Sequence, residues 1–185
     1  MRVIAGSKMG RRLISPEGLS TRPTTDKVKE ALFSIIQFEL FDADFLDLFS
    51  GSGQMGIEAV SRGAKKAVLV ENDKKSIDVI KKNVNALELQ KECEVHFKGA
   101  EEFLRFNTNK FDIVFLDPPY NKEIIPQILP EVVKTVKDSG FIICEIEKGE
   151  QLPEICGEFY LKKRYRYGKT ELCMYKNKEL QNEIY

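Results

Sequence analysis

The chain has 185 residues, 42% of them hydrophobic and 31% charged, with no net formal charge. That length and balance predict one soluble globular domain with room for an appendage. No apolar run approaches the roughly 18 residues that cross a bilayer, and the start MRVIAGSKMGRR lacks a signal-peptide core, so a cytoplasmic protein without a membrane partner is expected. Cys93, Cys144, Cys156 and Cys173 stand singly beside one histidine, His96. That pattern predicts buried, reduced thiols and a packed imidazole, with neither a disulfide framework nor a metal site.

In chain order, residues 1–21 hold two short β-prone pieces around Gly6 and Gly10 and read as a basic arm. The segment Arg22-Pro23-Thr24-Thr25-Asp26 then precedes a helix whose stripe is Val28, Ala31, Leu32, Ile35 and Ile36, with Thr25 or Asp26 as N-cap. Apolar runs at 45–49, 67–71, 94–97, 111–116 and 141–146 read as short buried strands. Between them, helical periodicity covers 53–62, 74–89 (Ile77, Ile80, Val84, Leu87) and 124–137 (Ile125, Ile128, Leu129, Val132, Val136). Strand–helix alternation of this kind predicts a doubly wound, Rossmann-like α/β sheet, mostly parallel. The C-terminal sequence around Tyr167-Gly168-Lys169 predicts an antiparallel hairpin, and residues 177–185 a polar tail, leaving 22–176 as the main domain.

Ligands of such sheets bind at the carboxyl ends of the strands, where the sequence puts Leu46-Asp47-Leu48-Phe49-Ser50-Gly51-Ser52-Gly53, Glu71 and Asp117-Pro118-Pro119-Tyr120. Gly51, Gly53 and Gly56 have the spacing of a nucleotide-cofactor turn, and Glu71 lies twenty residues past Gly51. A pyrophosphate about 5 Å from Asp47 would be repelled by roughly 3 kcal/mol at an effective dielectric constant near 20. S-adenosylmethionine carries an ammonium and a sulfonium instead, so Asp47 favours it over a dinucleotide, while Glu71 could hold the ribose hydroxyls of either. In Asp117-Pro118-Pro119-Tyr120 the prolines remove two backbone donors and leave acceptors only. The Asp117 carboxylate and the Pro118 carbonyl could thus hold the two N–H bonds of an exocyclic base amine, with Tyr120 stacked on the ring. A base so held must be single-stranded or flipped out.

The match to RVIAG, GRRL, RPTTDKVKEALFSII, LDLFSGSGQMGIEAVSRGA, VLVENDK, FLDPPY and YGKTEL resembles the bacterial small-subunit ribosomal RNA guanine-N2 methyltransferase family. That resemblance implies a seven-stranded methyltransferase sheet, S-adenosyl-L-methionine as donor, and methylation of a guanine N2 in 16S ribosomal RNA or the small ribosomal subunit; a monomer is expected. It also implies that Asp47, Phe49, Gly51, Gly53 and Glu71 line the cofactor, that Arg22 and Thr24 close over its methionine end, and that Asp117, Pro118 and Tyr120 hold the base. Where many methyltransferases place an adenine-binding Asp, this chain has Lys98-Gly99-Ala100-Glu101; Glu101 substitutes, or the Ala100 amide binds a ring nitrogen. Asn72 either flanks the adenine or caps the next helix.

Charge is uneven along the chain. Residues 1–30 carry seven basic and three acidic side chains, and residues 160–176 six and one. Under the resemblance, Lys8, Arg11 and Arg12 from the arm and Lys162, Arg164 and Arg166 from the hairpin would grip RNA phosphates. Other readings stay open: a DNA adenine-N6 or cytosine-N4 methyltransferase, a non-catalytic RNA-binding assembly factor, and a dehydrogenase.

Overall fold

The computed structural model of the chain describes residues 1–16, 26–119 and 123–178. Within them lie α1 (Asp26–Ile35), β1 (Asp44–Asp47), α2 (Gln54–Ser61), β2 (Lys66–Glu71), α3 (Lys74–Ala86), β3 (Cys93–Phe97), α4 (Ala100–Phe106), β4 (Phe111–Leu116) and α5 (Ile124–Val132). There follow a short 3-10 turn (Val133–Thr135), β5 (Val136–Glu147), β6 (Ile155–Cys156), β7 (Phe159–Tyr167) and β8 (Thr170–Asn177). The strands form one sheet in the order β3-β2-β1-β4-β5-β8-β7-β6. Strands β1 to β5 are parallel, and β6 to β8 antiparallel. The doubly wound α/β class is therefore as expected, with an eighth strand, the two-residue β6, beyond the seven that the family resemblance implies.

Period-two alternation divides the core. Phe45, Ala67, Leu69, Ile113 and Phe115 face α1, α2 and α3 through Phe33, Ile57 and Ile80, while Leu46, Val68, Val70, Val114 and Leu116 face α4 and α5 through Phe103, Leu104, Ile128 and Leu129. Close packing fixes one glycine: a Cβ at Gly56 of α2 would lie 2.1 Å from Leu69 Cδ2 of β2.

The structure departs from the sequence reading in several places: the helix expected over 74–89 ends at Ala86, and the strand expected over 141–146 runs from Val136 to Glu147. The expected helix over 124–137 ends at Val132, because Val136 already pairs with Phe111 of β4 and the Lys137 ammonium bridges Asp44 and Asp112 at 3.0 and 2.7 Å. The helix α4 was not expected from the sequence; its seven residues bury only Phe103 and Leu104, too few to show a period. The cap of α3 is Asp73, whose carboxylate accepts the Ser76 N–H at 2.8 Å, so Asn72 is not the cap. Of the α1 cap candidates, Asp26 lies within the helix's first turn and Thr25 is outside the described residues.

The arm is a narrow antiparallel ribbon laid along α2. Val3 N–H donates to the Arg11 carbonyl and Gly10 N–H to the Val3 carbonyl, both at 2.9 Å, and Arg2 bridges Arg12. Its anchor is Glu58 of α2, fully buried, which accepts the Ile4 and Ala5 N–H groups at 2.8 and 2.9 Å and pairs with Lys29 of α1 at 3.3 Å and with Arg62 at 2.8 Å. Lys29, equally buried, also donates to the Arg2 carbonyl at 2.7 Å. Removing one partner of such a pair strands the other charge. Glu58→Ala should therefore destabilise the protein by about 3–5 kcal/mol in urea unfolding; a loss below about 1 kcal/mol would show that the anchor is ornamental.

Candidate active site

The carboxyl ends of β2, β1 and β4 lie side by side. Asp47 is in register with Leu69 and with Phe115, and Glu71 and Asp117 follow two residues on. Strand spacing and rise then put Asp117 about 8 Å from Asp47, backbone to backbone. Beyond β1 the chain keeps both neighbours: Leu48 N–H donates to the Phe115 carbonyl at 3.2 Å and Ser50 N–H to the Val70 carbonyl at 3.0 Å. It then turns through Gly51 and Gly53, whose φ angles are +55° and +78°, into the amino end of α2. This is the switch point of the sheet, where β2 and β4 leave β1 on opposite sides.

Glu71 closes the glycine turn. Its Oε2 accepts the Gly51 N–H at 2.8 Å, and its Oε1 accepts the Asn72 and Asp73 N–H groups at 2.8 and 2.9 Å. A carboxylate offers about four acceptor positions, so the plane of this one is fixed with acceptor capacity to spare. On its other flank, Lys98 N–H donates to the Glu71 carbonyl at 3.0 Å. That bond brings the Lys98-Gly99-Ala100 corner beside Glu71, with Ala100 half-buried and Asn72 and Glu101 exposed.

Asp47 is the anomaly of the cleft. It is 1% exposed, and neither carboxylate oxygen has a hydrogen-bond partner among the described residues. Burial pushes its pKa up to about 7; the Gly56 amide, the Ser50 hydroxyl and the Phe49 amide, near the carboxylate but outside hydrogen-bond geometry, pull it down by less, and the Glu71 charge adds to the rise. An orphaned buried acid is an incomplete ion pair. A cation delivered to the turn would complete it, whereas a pyrophosphate would not. Phe49, half-buried, packs against the α4–α5 side of the core. Pro118 is buried, Asp117 partly exposed. Arg22, Thr24 and Tyr120 are outside the described residues.

Two side chains at this end escaped the sequence reading. Asn83 of α3 donates to the Ser52 carbonyl and the Ile14 carbonyl, each at 3.0 Å, and accepts the Ile14 N–H at 2.8 Å, tying the arm to the glycine turn. Gln54, the first residue of α2, buries an Oε1 that has no partner among the described residues.

The basic candidates are dispersed. Lys8 N–H donates to Ser61 Oγ at the carboxyl end of α2, and Arg11 donates to the Ala86 carbonyl at the carboxyl end of α3 at 3.0 Å. Both lie at the helix ends away from the glycine turn; Arg12 is exposed on the ribbon. In the hairpin, Arg164 and Arg166 pair with the buried Glu171 at 3.4 and 3.1 Å, and Lys162 is exposed at a bulge in β7. Of the cysteines, Cys156 is half-buried and the other three buried, all of them free. His96 packs edge-on to Phe103. No helix among the described residues is long and apolar enough to cross a membrane.

The parallel sheet with an antiparallel β8 inserted beside β5, and an acid-flanked glycine turn at its switch point, define a Rossmann-like methyltransferase. A family described as conserved hypothetical protein 95 matches residues 1–176, and the chain belongs to it. Similar proteins include YlbH of Bacillus subtilis (strain 168), whose name proposes an rRNA methyltransferase, at 40% identity over 96% of this chain and 100% of that one. Another is ribosomal RNA small subunit methyltransferase D of Escherichia coli (strain K12), 32% identical over 99% and 92%. The solved structure of Escherichia coli yhhF superposes with a TM-score of 0.86 at 32% identity, covering 96% and 97%. An RNA methyltransferase from Salinibacter ruber, solved with S-adenosyl-L-homocysteine, shares the fold at 14% identity, TM-score 0.66, over 83% and 92%. S-adenosylmethionine is the cofactor that a methyltransferase of this class takes.

The state of Asp47 has a measurable consequence. The native carboxyl holds its proton to about pH 7, whereas the unfolded one releases it near 3.8. The native state therefore binds more protons between those values, and stability falls as pH rises through that window. Asp47→Asn removes the fall. At pH 8 the ligand-free variant should exceed the wild type by on the order of 2–4 kcal/mol in urea unfolding; a variant less stable than wild type at that pH would contradict the account.

Proposed function

We propose that the chain transfers a methyl group from S-adenosylmethionine to the exocyclic N2 amine of a guanine in 16S ribosomal RNA, working in the cytoplasm as a monomer on the RNA or the small subunit. The observation that supports this most is the convergence of Asp47, Glu71 and the Asp117-Pro118-Pro119 corner at the ends of three adjacent strands, with the Asp47 carboxylate left for a cation. The named relatives point to the same substrate class.

S-adenosylmethionine supplies a methyl group on a positively charged sulfur. Asp47 would neutralise the cationic end of the donor, and the Gly51–Gly53 turn lets the backbone approach it. Glu71 would accept from the ribose hydroxyls, Phe49, Asn72 and the Ala100 amide or Glu101 would flank the adenine, and Arg22 and Thr24 would act at the methionine end. Asp117 and the Pro118 carbonyl accept the two amine N–H bonds and turn the nitrogen lone pair toward the methyl, while Tyr120 stacks on the base. Transfer would form the nitrogen–carbon bond as the carbon–sulfur bond breaks, leaving a neutral thioether, and Asp117 or water would take the amine proton.

Tritiated methyl transfer to small subunits, naked 16S RNA and duplex DNA, followed by nucleoside digestion, tests this directly. N2-methylguanosine from either RNA substrate is expected; N6-methyladenine or N4-methylcytosine from DNA overturns it. Asp117→Ala should lower turnover at least about 100-fold, typical of losing a positioned proton acceptor, with S-adenosylhomocysteine affinity within about twofold of wild type by calorimetry. Unaltered turnover would mean that Asp117 does not hold the amine.

A further inference from the structure

Beyond the Asp117-Pro118-Pro119 corner the sheet carries a fourth acid at the same end. Along β5, Phe141 and Ile143 belong to the core face that α1, α2 and α3 cover, and Ile142, Cys144 and Ile146 to the other. Period two therefore puts Glu145 on the first face, at a position where an apolar side chain would be expected, and it is buried, 4% exposed. Leu116 of β4 is in register with Cys144 of β5, so Asp117 and Glu145 are the next two residues along that ladder. The same alternation carries Asp117 onto the face of Ile113 and Phe115. Adjacent strands lie about 4.8 Å apart, which lets one planar ligand meet both carboxylates. On its far side Glu145 pairs with the buried Leu172 of β8.

Strand order sets what each acid can meet. Along β2-β1-β4-β5 stand Glu71, Asp47, Asp117 and Glu145. Under the proposed reading the first three take the ribose, the cationic donor and the amine, so Glu145 meets the atom next to the amine on the edge of the base. Asp47, buried with neither oxygen bonded, shows independently that this end of the sheet is built to take a ligand. The ring atom beside the amine differs among bases. Next to N2 of guanine is N1–H, a donor; next to N6 of adenine or N4 of cytosine is a bare ring nitrogen, an acceptor, and a base outside the stack is read on that edge. A carboxylate takes the first in a charge-assisted bond and repels the second. It offers about four acceptor positions, enough for a neighbour in the protein and a base N–H together.

We infer that Glu145 accepts the N1–H of the target base and so makes guanine the amine-bearing base that this cleft selects. The inference rests on the methyl-transfer reading of the cleft and adds what chooses the base. Asp117 and the Pro118 carbonyl hold an exocyclic amine whatever ring bears it; the acid one strand further on reads the ring.

The test replaces the methylated guanine by 2-aminopurine, which keeps the N2 amine and has a bare N1. The 16S RNA is joined by splinted ligation, with the substitution at the position mapped by nucleoside digestion, and is offered free or in small subunits, whichever the wild type methylates. Wild type should prefer guanine by at least about 100-fold in kcat/KM, since a site built to bond an N–H rejects the analogue that lacks it. Glu145→Gln presents an amide that can donate to the bare N1. It should lose at least about tenfold on guanine and gain on 2-aminopurine, narrowing the preference to within about tenfold, while S-adenosylhomocysteine affinity does not move. The preference is a ratio within one preparation and does not depend on how much of the variant folds. Equal losses on both substrates, or a preference that stays at the wild-type value, overturn the inference and leave Glu145 a structural acid. So does equal use of the two substrates by the wild type, an outcome that needs no variant. Wild type that yields N6-methyladenine or N4-methylcytosine refutes the reading beneath the inference along with it, whereas N2-methylguanosine with an unmoved preference refutes the inference alone.

Discussion

A carboxylate buried at the end of β1 with neither oxygen bonded is the constraint around which the cleft is built. Protein interiors leave few such groups, and this one could be relieved by a few changes of sequence, since Asn in its place would remove the charge. Its persistence makes sense if a cation arrives from outside. The parallel sheet supplies the location, because β1 is flanked by β2 and β4 and every loop at their carboxyl ends opens on the same side. Glu71, by contrast, is satisfied in advance by three backbone donors. One acid is thus held rigid and the other held in tension, which suits a ligand with neutral hydroxyls at one end and positive charge at the other.

The arm makes the glycine turn part of a larger rigid body. Glu58, Lys29 and Arg62 form a buried cluster that binds arm, α1 and α2 at once, and Asn83 bonds the returning arm strand and the Ser52 carbonyl together. The flanks of residues 17–25 are therefore anchored on both sides, at Ile14 by Asn83 and at Asp26 by the first turn of α1. Electrostatics inside the core here serve alignment, since buried ion pairs contribute little net stability.

Much of this could be read from sequence, for identifiable reasons. The strands β1, β2 and β4 are apolar on both faces and end in acids or prolines, so their limits and the acids at their ends were visible together. What was hidden was polar groups working inside helices. Glu58 sits in a helix whose every residue is buried, and Asn83 interrupts the Ile77, Ile80, Val84 stripe of α3; a charge or amide on an apolar face was a signal that a partner element lay across it. The arm's basic residues were read from their charge count, which says nothing of position: the ribbon runs along α2, so its tip lands at the end away from the cleft. Nor could the sequence show that Arg164 and Arg166 pair with the buried Glu171.

The claim on which the rest turns is that Asp47 receives the cationic donor. Calorimetric titration of S-adenosylmethionine at pH 6, in buffers of different ionisation enthalpy, tests it most directly. The account predicts that binding releases a proton from Asp47, that affinity rises toward pH 8, and that Asp47→Asn abolishes both effects together with most of the affinity. Wild-type binding without proton release, at an affinity that the asparagine variant matches, would contradict it.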